Sequence, residues 1–265
     1  MGKNTFFKYS GTGNDFVIID NRKLICDVKD KQFWQKVCDR KFGVGADGVL
    51  FLNPSDKYDY RMIYLNADGG EVSMCGNGTR CLAHFAATVL GIGDQKSYTF
   101  ETQKGVYKAH VNGDFVKVLM SELYDVDAIE VSDLYNSNHS KFMNTGVPHC
   151  VYECDKLSEL DLQNVGAKIR YNKRFPEGVN ANFFKVVGDK HIRLRTYERG
   201  VEGETLACGT GATAAALATH SFFGWESEVR VEMPGGDLVI EFNDDHSEVY
   251  LGGQVEKIFS GTLCF

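Results

Sequence analysis

Met74-Cys75-Gly76-Asn77-Gly78-Thr79 opens a predicted helix in the first half of the chain, and Ala207-Cys208-Gly209-Thr210-Gly211-Ala212 opens another in the second half. In both stretches a cysteine precedes the first helical turn, and glycines follow it. The N–H groups of a first helical turn have no partner within the helix, and glycines let a ligand approach them closely. The two stretches therefore predict a ligand site at the start of each of two related helices.

The two stretches are part of a longer internal repeat. Cys75 and Cys208 lie 133 positions apart, and the same offset relates Phe51 to Phe184, Thr12-Gly13 to Thr145-Gly146, Gly70-Glu71 to Gly203-Glu204, and Gly91 to Gly224. A period this long excludes a solenoid of short repeats. We interpret the sequence as two copies of one α/β domain that face each other across a pseudo-twofold axis.

Each copy is expected to place its helix inside a sheet. Five alanines between 212 and 218 leave the second helix little side-chain bulk on any face, so we expect other structure to surround it closely. The predicted class is α+β: two pseudo-twofold related α/β domains, each a mostly antiparallel, barrel-like sheet around a central helix, with the active site in the interdomain cleft. The predicted domains are 1–121 with a returning segment 254–265, and 122–253; 121–140 is the expected linker.

Composition narrows the function classes. The 265 residues are 43% hydrophobic and carry a net charge of −7, without a basic run that would indicate nucleic acid as a partner. No apolar stretch approaches the roughly 20 residues that a membrane-spanning helix needs, and the start of the chain does not resemble a signal peptide. We expect a cytoplasmic protein whose eight cysteines are thiols.

The cysteines divide into two groups. At a helix start the dipole and the N–H groups favour a thiolate, so we expect the pKa values of Cys75 and Cys208 to lie below about 8.5. The alternative is a tight glycine turn at a helix start with no chemical role. His149-Cys150 with Cys154 resembles a fragment of a metal site, but lacks a second pair at ligand spacing, so no metal is expected. The remaining six cysteines are expected in the core: Cys26, Cys38, Cys81, Cys150, Cys154 and Cys264.

Two thiols related by a pseudo-twofold axis suggest proton transfer at one carbon. If one thiol faces each side of a bound carbon, one thiolate can remove a proton while the opposite thiol delivers another, which inverts the centre. The pair must then carry one net proton. Backbone N–H groups at both helix starts would stabilise the enediolate-like charge that develops as the proton leaves.

The whole chain resembles the diaminopimelate epimerase family. The family's enzymes interconvert LL- and meso-2,6-diaminopimelate without a cofactor, on the route to lysine and peptidoglycan precursors. Besides the two cysteine stretches, the motifs that carry the resemblance are Gly13-Asn14-Asp15-Phe16, Phe42-Gly43-Val44-Gly45-Ala46-Asp47-Gly48, Asn66-Ala67-Asp68-Gly69, Gly146-Val147-Pro148-His149, Val179-Asn180 and Glu198-Arg199-Gly200.

The resemblance implies a role for each matching residue. Cys75 and Cys208 are the acid and base, with Cys208 as proton acceptor and Cys75 as donor from LL to meso. His149 and Glu198 lie near the reacting amino group and modulate the thiol pKa values. The remaining substrate-binding residues are Gly76, Asn77, Gly209 and Thr210 for the reacting carboxylate, and Asn14, Asn66, Asn180 and Arg199 for the distal end, with Glu198 also counted as a substrate contact.

Other interpretations remain open at this point. Many family members have Asn where this chain has Val147, so one amide contact to substrate is missing or replaced. Each Asn can be a turn former, and Glu198-Arg199 a solvated pair. A racemase for another amino acid, such as proline or hydroxyproline, and a small-molecule binding or thiol-sensor protein are the competing functions. The resemblance also implies a homodimer.

Overall fold

The computed structural model describes residues 5–72, 74–92, 96–120 and 129–264. The chain divides into two compact units, 1–119 with 252–265, and 120–251. The helices are α1 (Lys31–Cys38), α2 (Gly76–Thr88), α3 (Leu162–Arg170) and α4 (Gly209–Phe223).

The first unit is a closed, mostly antiparallel barrel. Its strands follow the order β1-β2-β3-β4-β6-β7-β8-β16, and β16 returns to pair with β1, from Thr5 opposite Thr262 to Gly11 opposite Val255. Two pairs, β2 with β3 and β4 with β6, are parallel. The strands of the first half are β1 (Thr5–Gly11), β2 (Asn14–Asp20), β3 (Gly48–Asn53), β4 (Tyr60–Asn66), β5 (Glu71–Val72), β6 (Ser97–Thr102), β7 (Gly105–Asn112) and β8 (Phe115–Leu119).

The second unit repeats the same order of elements. Its sheet runs β9-β10-β11-β12-β14-β15 and continues into β16, and again two pairs are parallel, β10 with β11 and β12 with β14. The repeat predicted from the offset is therefore present in the order and pairing of the strands. The strands are β9 (Ser140–Asn144), β10 (Pro148–Glu153), β11 (Asn180–Gly188), β12 (His191–Glu198), β13 (Gly203–Glu204), β14 (Glu228–Met233), β15 (Gly236–Phe242) and β16 (Val249–Thr262).

Each unit surrounds one helix. In α2 every residue from 77 to 86 is buried, and the helix packs against β1, β2, β3, β7 and β8. In α4 every residue from 211 to 219 is buried, against strands β9 to β12, β14 and β15. The small side chains of α4 let the surrounding sheet approach closely, which confirms the expected enclosed helix.

A glycine with positive φ follows each enclosed helix. Gly224 caps α4 with a φ of 67°, and its N–H donates to the carbonyl of His220. Gly91 has a φ of 56°, and the next residue, Ile92, donates back to the carbonyl of Ala86. Both glycines occupy the left-handed region that other residues avoid.

The structure adds to the expectations from the sequence, or differs from them, in three places. Helix propensity alone predicts that the two enclosed helices begin at Thr79 and Ala212. Both begin three residues earlier, because Cys75 and Cys208 take the N-cap position and their carbonyls accept the first helical hydrogen bonds. The expected linker 121–140 is structured where it is described, since the side chain of Val131 is buried in the core of the second unit; residues 121–128 lie outside the described residues. The strands β5, β9 and β13 were not predicted.

The C-terminal segment pairs with the first unit, as predicted. Strand β16 covers 249–262, and its later residues form the ladder with β1. Four of the six cysteines expected in the core are buried there, namely Cys38, Cys81, Cys150 and Cys154. Cys26 is only half-buried, and the prediction for Cys264 is wrong because it follows the last strand and its side chain is exposed.

Candidate active site

The two cysteines of the repeated stretches occupy the same backbone position in their units. Cys75 is the N-cap of α2 with φ −136° and ψ 122°, and its carbonyl accepts the N–H of Thr79 at 2.8 Å. Cys208 is the N-cap of α4 with φ −133° and ψ 102°, and its carbonyl accepts the N–H of Ala212 at 2.8 Å. Cys75 is half-buried, whereas Cys208 is buried.

The first helical turns supply the backbone donors expected from the sequence. Gly76 and Asn77 occupy the first two positions of α2, and Gly209 and Thr210 those of α4. N–H groups at these positions have no acceptor inside their own helix and lie at the positive end of the helix dipole. Each turn can therefore bind an anionic oxygen through its backbone.

Packing leaves little room for a side chain at the second glycine of each stretch. A Cβ at Gly78 would lie 3.2 Å from the ring of Phe16 and 3.3 Å from Leu50. A Cβ at Gly211 would lie 2.5 Å from the side-chain oxygen of Asn182. At these two positions the protein's own side chains fill the space that the sequence analysis assigned to a ligand.

Burial controls the protonation of Cys208. Removal from water raises the pKa of Cys208 to about 12, and the nearby charge of Glu198 raises it further. Hydrogen bonds from the Thr210 hydroxyl and the Gly211 amide act in the opposite direction. The predicted lowering of this pKa is therefore wrong, because the loss of hydration outweighs the helix start, and Cys208 is a thiol at neutral pH in the free protein.

Glu198 lies next to Cys208. It is the last residue of β12, and burial raises the pKa of its carboxyl group, while hydrogen bonds with Thr205 and Cys208 lower it. Glu198 raises the pKa of the Cys208 thiol, whereas the hydrogen bond with Cys208 partly offsets the raised pKa of the Glu198 carboxyl group. A change in the charge of either group therefore changes the pKa of the other.

His149 is enclosed in β10 of the same unit. Its side chain is fully buried, and burial lowers the pKa of His149 to about 3, so the ring is neutral at physiological pH. Its Nδ1 lies 3.0 Å from Nδ2 of Asn182. Its Nε2 is buried without a hydrogen-bond partner among the described residues.

Asn180 and Arg199 contact each other. Oδ1 of Asn180 accepts the backbone N–H of Arg199 at 2.7 Å, and Nδ2 donates to the carbonyl of Pro148 at 3.3 Å. Nη1 of Arg199 donates to the carbonyl of Glu177 at 3.1 Å. These bonds fix the end of β12 to the start of β11.

In the first unit the structure brings Asn14 and Asn77 together. Nδ2 of Asn77 donates to Oδ1 of Asn14 at 2.7 Å, and Nδ2 of Asn14 donates to Asp47 at 2.9 Å. Nη2 of Arg80 donates to Oδ1 of Asn77 at 2.9 Å and to the hydroxyl of Thr12 at 2.8 Å. The side chains around the first cysteine helix thus form one connected polar chain.

Asn66 stands apart from that chain. It is the exposed last residue of β4, and its backbone forms hydrogen bonds with Gly69 and Gly70. In the second unit the structure brings Glu198, Cys208 and Thr210 together, with the Cys208 sulfur 3.6 Å from the Thr210 hydroxyl.

Sequence reasoning missed two buried polar residues. Arg80 is a cation within the sequence of an enclosed helix, which is a signal that it has polar partners. Asn182 is an amide within a run of apolar strand residues, which is a comparable signal.

Within the described residues, the structure supports neither a metal site nor a membrane-spanning helix. Among them, no group of three or more His, Cys, Asp or Glu side chains is placed to hold a metal ion. Within the same part of the chain, no helix is both long enough and apolar enough to cross a membrane.

Comparison with known proteins identifies the family. The pattern that describes diaminopimelate epimerase matches residues 6–125 and 141–258. The chain belongs to the diaminopimelate epimerase family. It is 40% identical to the diaminopimelate epimerase of Flavobacterium psychrophilum over 262 residues, which cover 97% of this chain and 99% of the relative. It is 41% identical to that of Archaeoglobus fulgidus over 273 residues, with 97% and 95% covered.

Solved structures of other proteins share the fold of this family member. A phenazine biosynthesis protein of the PhzF family from Bacillus anthracis superposes with a TM-score of 0.72 at 18% identity, with 99% of each chain covered. A hydroxyproline epimerase from Agrobacterium vitis, solved with trans-4-hydroxy-L-proline, gives 0.66 at 17% identity, with 98% of this chain and 90% of the other covered. At these identities the likeness concerns the fold alone.

Proposed function

We propose that this chain is a diaminopimelate epimerase that interconverts the LL and meso isomers by proton transfer between the substrate α-carbon and the thiols of Cys75 and Cys208. The observation that carries the proposal is that both cysteines are N-caps of enclosed helices with nearly the same backbone conformation, at equivalent positions of two repeated units. Membership of the family supports the choice of substrate.

The chemistry requires one base and one acid, on opposite faces of the α-carbon. A thiolate removes the α-proton, and the other thiol delivers a proton to the far face, so the enzyme leaves each turnover with the proton on the other sulfur. For LL to meso, Cys208 is the acceptor and Cys75 the donor. A thiolate with a raised pKa is the stronger base, which suits removal of a weakly acidic α-proton. A turnover from LL to meso begins with the one thiol proton of the pair on Cys75, which passes to the α-carbon, and ends with the former α-proton on Cys208.

The charge that develops on the substrate is stabilised at the helix starts. Backbone N–H groups of Gly76, Asn77, Gly209 and Thr210 bind the reacting carboxylate, where the positive ends of two helix dipoles favour negative charge. Neutral His149 and buried Glu198 modulate the thiol pKa values.

The distal end of the substrate carries a second amino group and a second carboxylate. We assign its recognition to Asn14, Asn66, Asn180 and Arg199. The guanidinium group of Arg199 is suited to binding a carboxylate. The proposal includes no cofactor and no metal. The enzyme would act as a homodimer in the cytoplasm.

The deciding experiment is epimerisation of LL-diaminopimelate in deuterated water, under reducing conditions and without added cofactor. We expect meso product that carries deuterium at the inverted α-carbon, and loss of turnover in Cys75→Ala and in Cys208→Ala. Cys264→Ala is the matched control, because that thiol is exposed at the end of the chain, and it should retain wild-type turnover.

Two outcomes would favour the competing functions. Turnover of proline or hydroxyproline with none of diaminopimelate would indicate a racemase for another amino acid. Binding of diaminopimelate without incorporation of deuterium would indicate a binding or sensor protein.

A further inference from the structure

Asn182 is a fully buried amide whose orientation is set by its neighbours. Its Nδ2 lies 3.0 Å from the carbonyl oxygen of Cys150 and 3.4 Å from that of Asn180. A carbonyl oxygen can only accept a hydrogen bond, so the side-chain atom that faces both carbonyls has to be the nitrogen. On the other side, the hydroxyl of Thr196 donates to Oδ1 at 3.0 Å, which agrees with this orientation.

The orientation of Asn182 decides where the proton of His149 lies. Nδ2 of Asn182 also lies 3.0 Å from Nδ1 of His149, and an amide nitrogen is only a donor. Nδ1 must therefore offer its lone pair, so the neutral ring carries its proton on Nε2. That N–H is buried and has no acceptor among the described residues.

A buried donor without a partner costs free energy until an acceptor binds it. The ring cannot turn its proton elsewhere, because Asn182 occupies Nδ1. An ammonium group cannot satisfy Nε2–H, since it has no lone pair, whereas a carboxylate oxygen can. Arg199, whose charge lowers the pKa of His149, belongs to the same surroundings and also favours an anionic ligand.

We propose that Asn182 is a positioning residue that fixes His149 as a neutral Nε2–H donor, and that this donor binds a carboxylate oxygen of the substrate rather than its amino group. The tautomer follows from hydrogen bonds within the second unit. The identity of the ligand rests on the proposed function.

The packing around Asn182 links it to the cysteine helix. Its Oδ1 would lie 2.5 Å from a Cβ at position 211, in the first turn of α4, so the amide fills the space beside the residue that follows Thr210. A change at Asn182 is therefore expected to act on His149 and on the start of α4 together. For this reason the test needs a readout that reports the ring itself.

The first test is ¹⁵N NMR of the histidine rings in the substrate-free protein at neutral pH. We expect Nδ1 of His149 to show the shift of an unprotonated nitrogen and Nε2 that of a protonated one, with the signals assigned by their loss in His149→Gln. His220 is an internal reference, because its Nδ1 lies 2.6 Å from the carbonyl of Trp225 and has to carry a proton. A protonated Nδ1 in His149 would overturn the proposal.

The second test uses two variants of the same network. Asn182→Asp places an acceptor opposite Nδ1, so we expect Nδ1 to become protonated and kcat/KM for diaminopimelate to fall about ten- to a hundredfold, the equivalent of one lost hydrogen bond to a charged group. Thr196→Val is the control, because the two carbonyls still orient the Asn182 nitrogen, and the tautomer should stay as in the wild type. Wild-type ring signals and wild-type kcat/KM in Asn182→Asp would contradict the proposal.

The third test adds saturating meso-diaminopimelate to the wild-type protein. We expect the Nε2–H proton of His149 to move downfield as it gains a carboxylate acceptor. An unchanged Nε2–H signal on saturation would overturn the assignment of the ligand. If the chain did not epimerise diaminopimelate, the tautomer measured without substrate would still stand, so the two failures are distinguishable.

Discussion

Arg80 lies in α2, the helix that follows Cys75, and its guanidinium group is fully buried. Burial lowers the pKa of Arg80 to about 10, which still leaves it charged at neutral pH. Cys75 and Cys81 are close enough to raise that pKa, so by reciprocity the guanidinium favours the thiolate of Cys75. Through Asn77 the same group orients Asn14.

Replacing Arg80 by Met should move the pH profile of the enzyme. Loss of the cation makes the Cys75 thiolate less stable, so the pKa of Cys75 rises. In the meso-to-LL direction, where Cys75 is the base, the acidic limb of kcat/KM should therefore shift to higher pH. The freed Asn77 amide should also raise KM for diaminopimelate, by about tenfold for one lost charged hydrogen bond. The measurement is kcat/KM against pH for both proteins.

Arg22→Met is the control for that profile, because Arg22 is a largely exposed arginine paired with Asp20. It should leave the profile unchanged. If the Arg80→Met profile coincided with the wild-type profile, Arg80 would have no electrostatic effect on Cys75.

Among the elements, the enclosed helices tolerate substitution differently at their two ends. Gly211 stands in the first turn of α4, where a Cβ would lie 2.5 Å from the Asn182 oxygen and 3.2 Å from the Cys208 sulfur. Gly224 ends the same helix with a φ of 67° and nothing within 4 Å of a Cβ. At Gly211 packing restricts which residues fit, whereas at Gly224 only the left-handed backbone conformation restricts them.

We expect Gly211→Ala to lower the free energy of unfolding by about 1–3 kcal/mol, through overpacking, and to reduce turnover strongly. Gly224→Ala should cost about 1 kcal/mol, since it adds only the strain of a left-handed residue, and should leave turnover near wild type. Urea unfolding and the epimerase assay measure both. Equal losses of turnover in the two variants would show that the start of α4 matters no more for turnover than its end.

A second prediction at this scale concerns β16. The side chain of Val255 is buried in the core of the first unit, and the strand closes that unit's barrel on β1. Deletion of residues 254–265 should therefore unfold the first unit, which circular dichroism and protease resistance would report. Deletion of 264–265 alone, beyond the ladder, should leave the fold intact. A stable, cooperative protein without 254–265 would contradict the role of this strand.

At the scale of the whole molecule, buried thiols contribute to the loss of stability at alkaline pH. Burial raises the pKa of Cys38 to about 11 and the pKa values of Cys81, Cys150 and Cys208 to about 12, from a usual value of 9.0. These groups stay neutral in the folded protein at pH values where they ionise in the unfolded chain. Their contribution to stability is therefore complete below about pH 9 and is lost as pH rises from there toward 12.

Urea unfolding in the presence of a reductant should show this loss directly. The free energy of unfolding should fall between pH 9 and pH 11, with a slope of up to ~1.4 kcal/mol per pH unit for each such thiol. Cys81→Ala should make the slope shallower, whereas Cys264→Ser should not change it, because that thiol is exposed. A slope unaffected by Cys81→Ala would exclude this thiol as a cause.

Local chemistry made much of the fold predictable. Glycines at turn positions recur at one constant offset along the chain, and this predicted the repeat. Gly91 and Gly224, for example, both adopt the left-handed conformation after equivalent helices. The alanine run predicted an enclosed helix. Helix propensity alone did not predict the start of α4 at Gly209, because it counts glycine as a loop former and carries no information about the N-cap at Cys208 from which the helix begins.

For the candidate site, too, some properties follow from the sequence and others only from the tertiary structure. The sequence by itself determined which residue types stand at the two helix starts, since Cys75 and Cys208 follow from a local motif that occurs twice. Only the tertiary structure decided the state of those groups. The pKa of Cys208 depends on how completely strands from distant parts of the chain exclude water, and the tautomer of His149 depends on Asn182, 33 residues away. Burial and the hydrogen bonds between strands set these properties, and neither can be read from the neighbours of a residue along the chain.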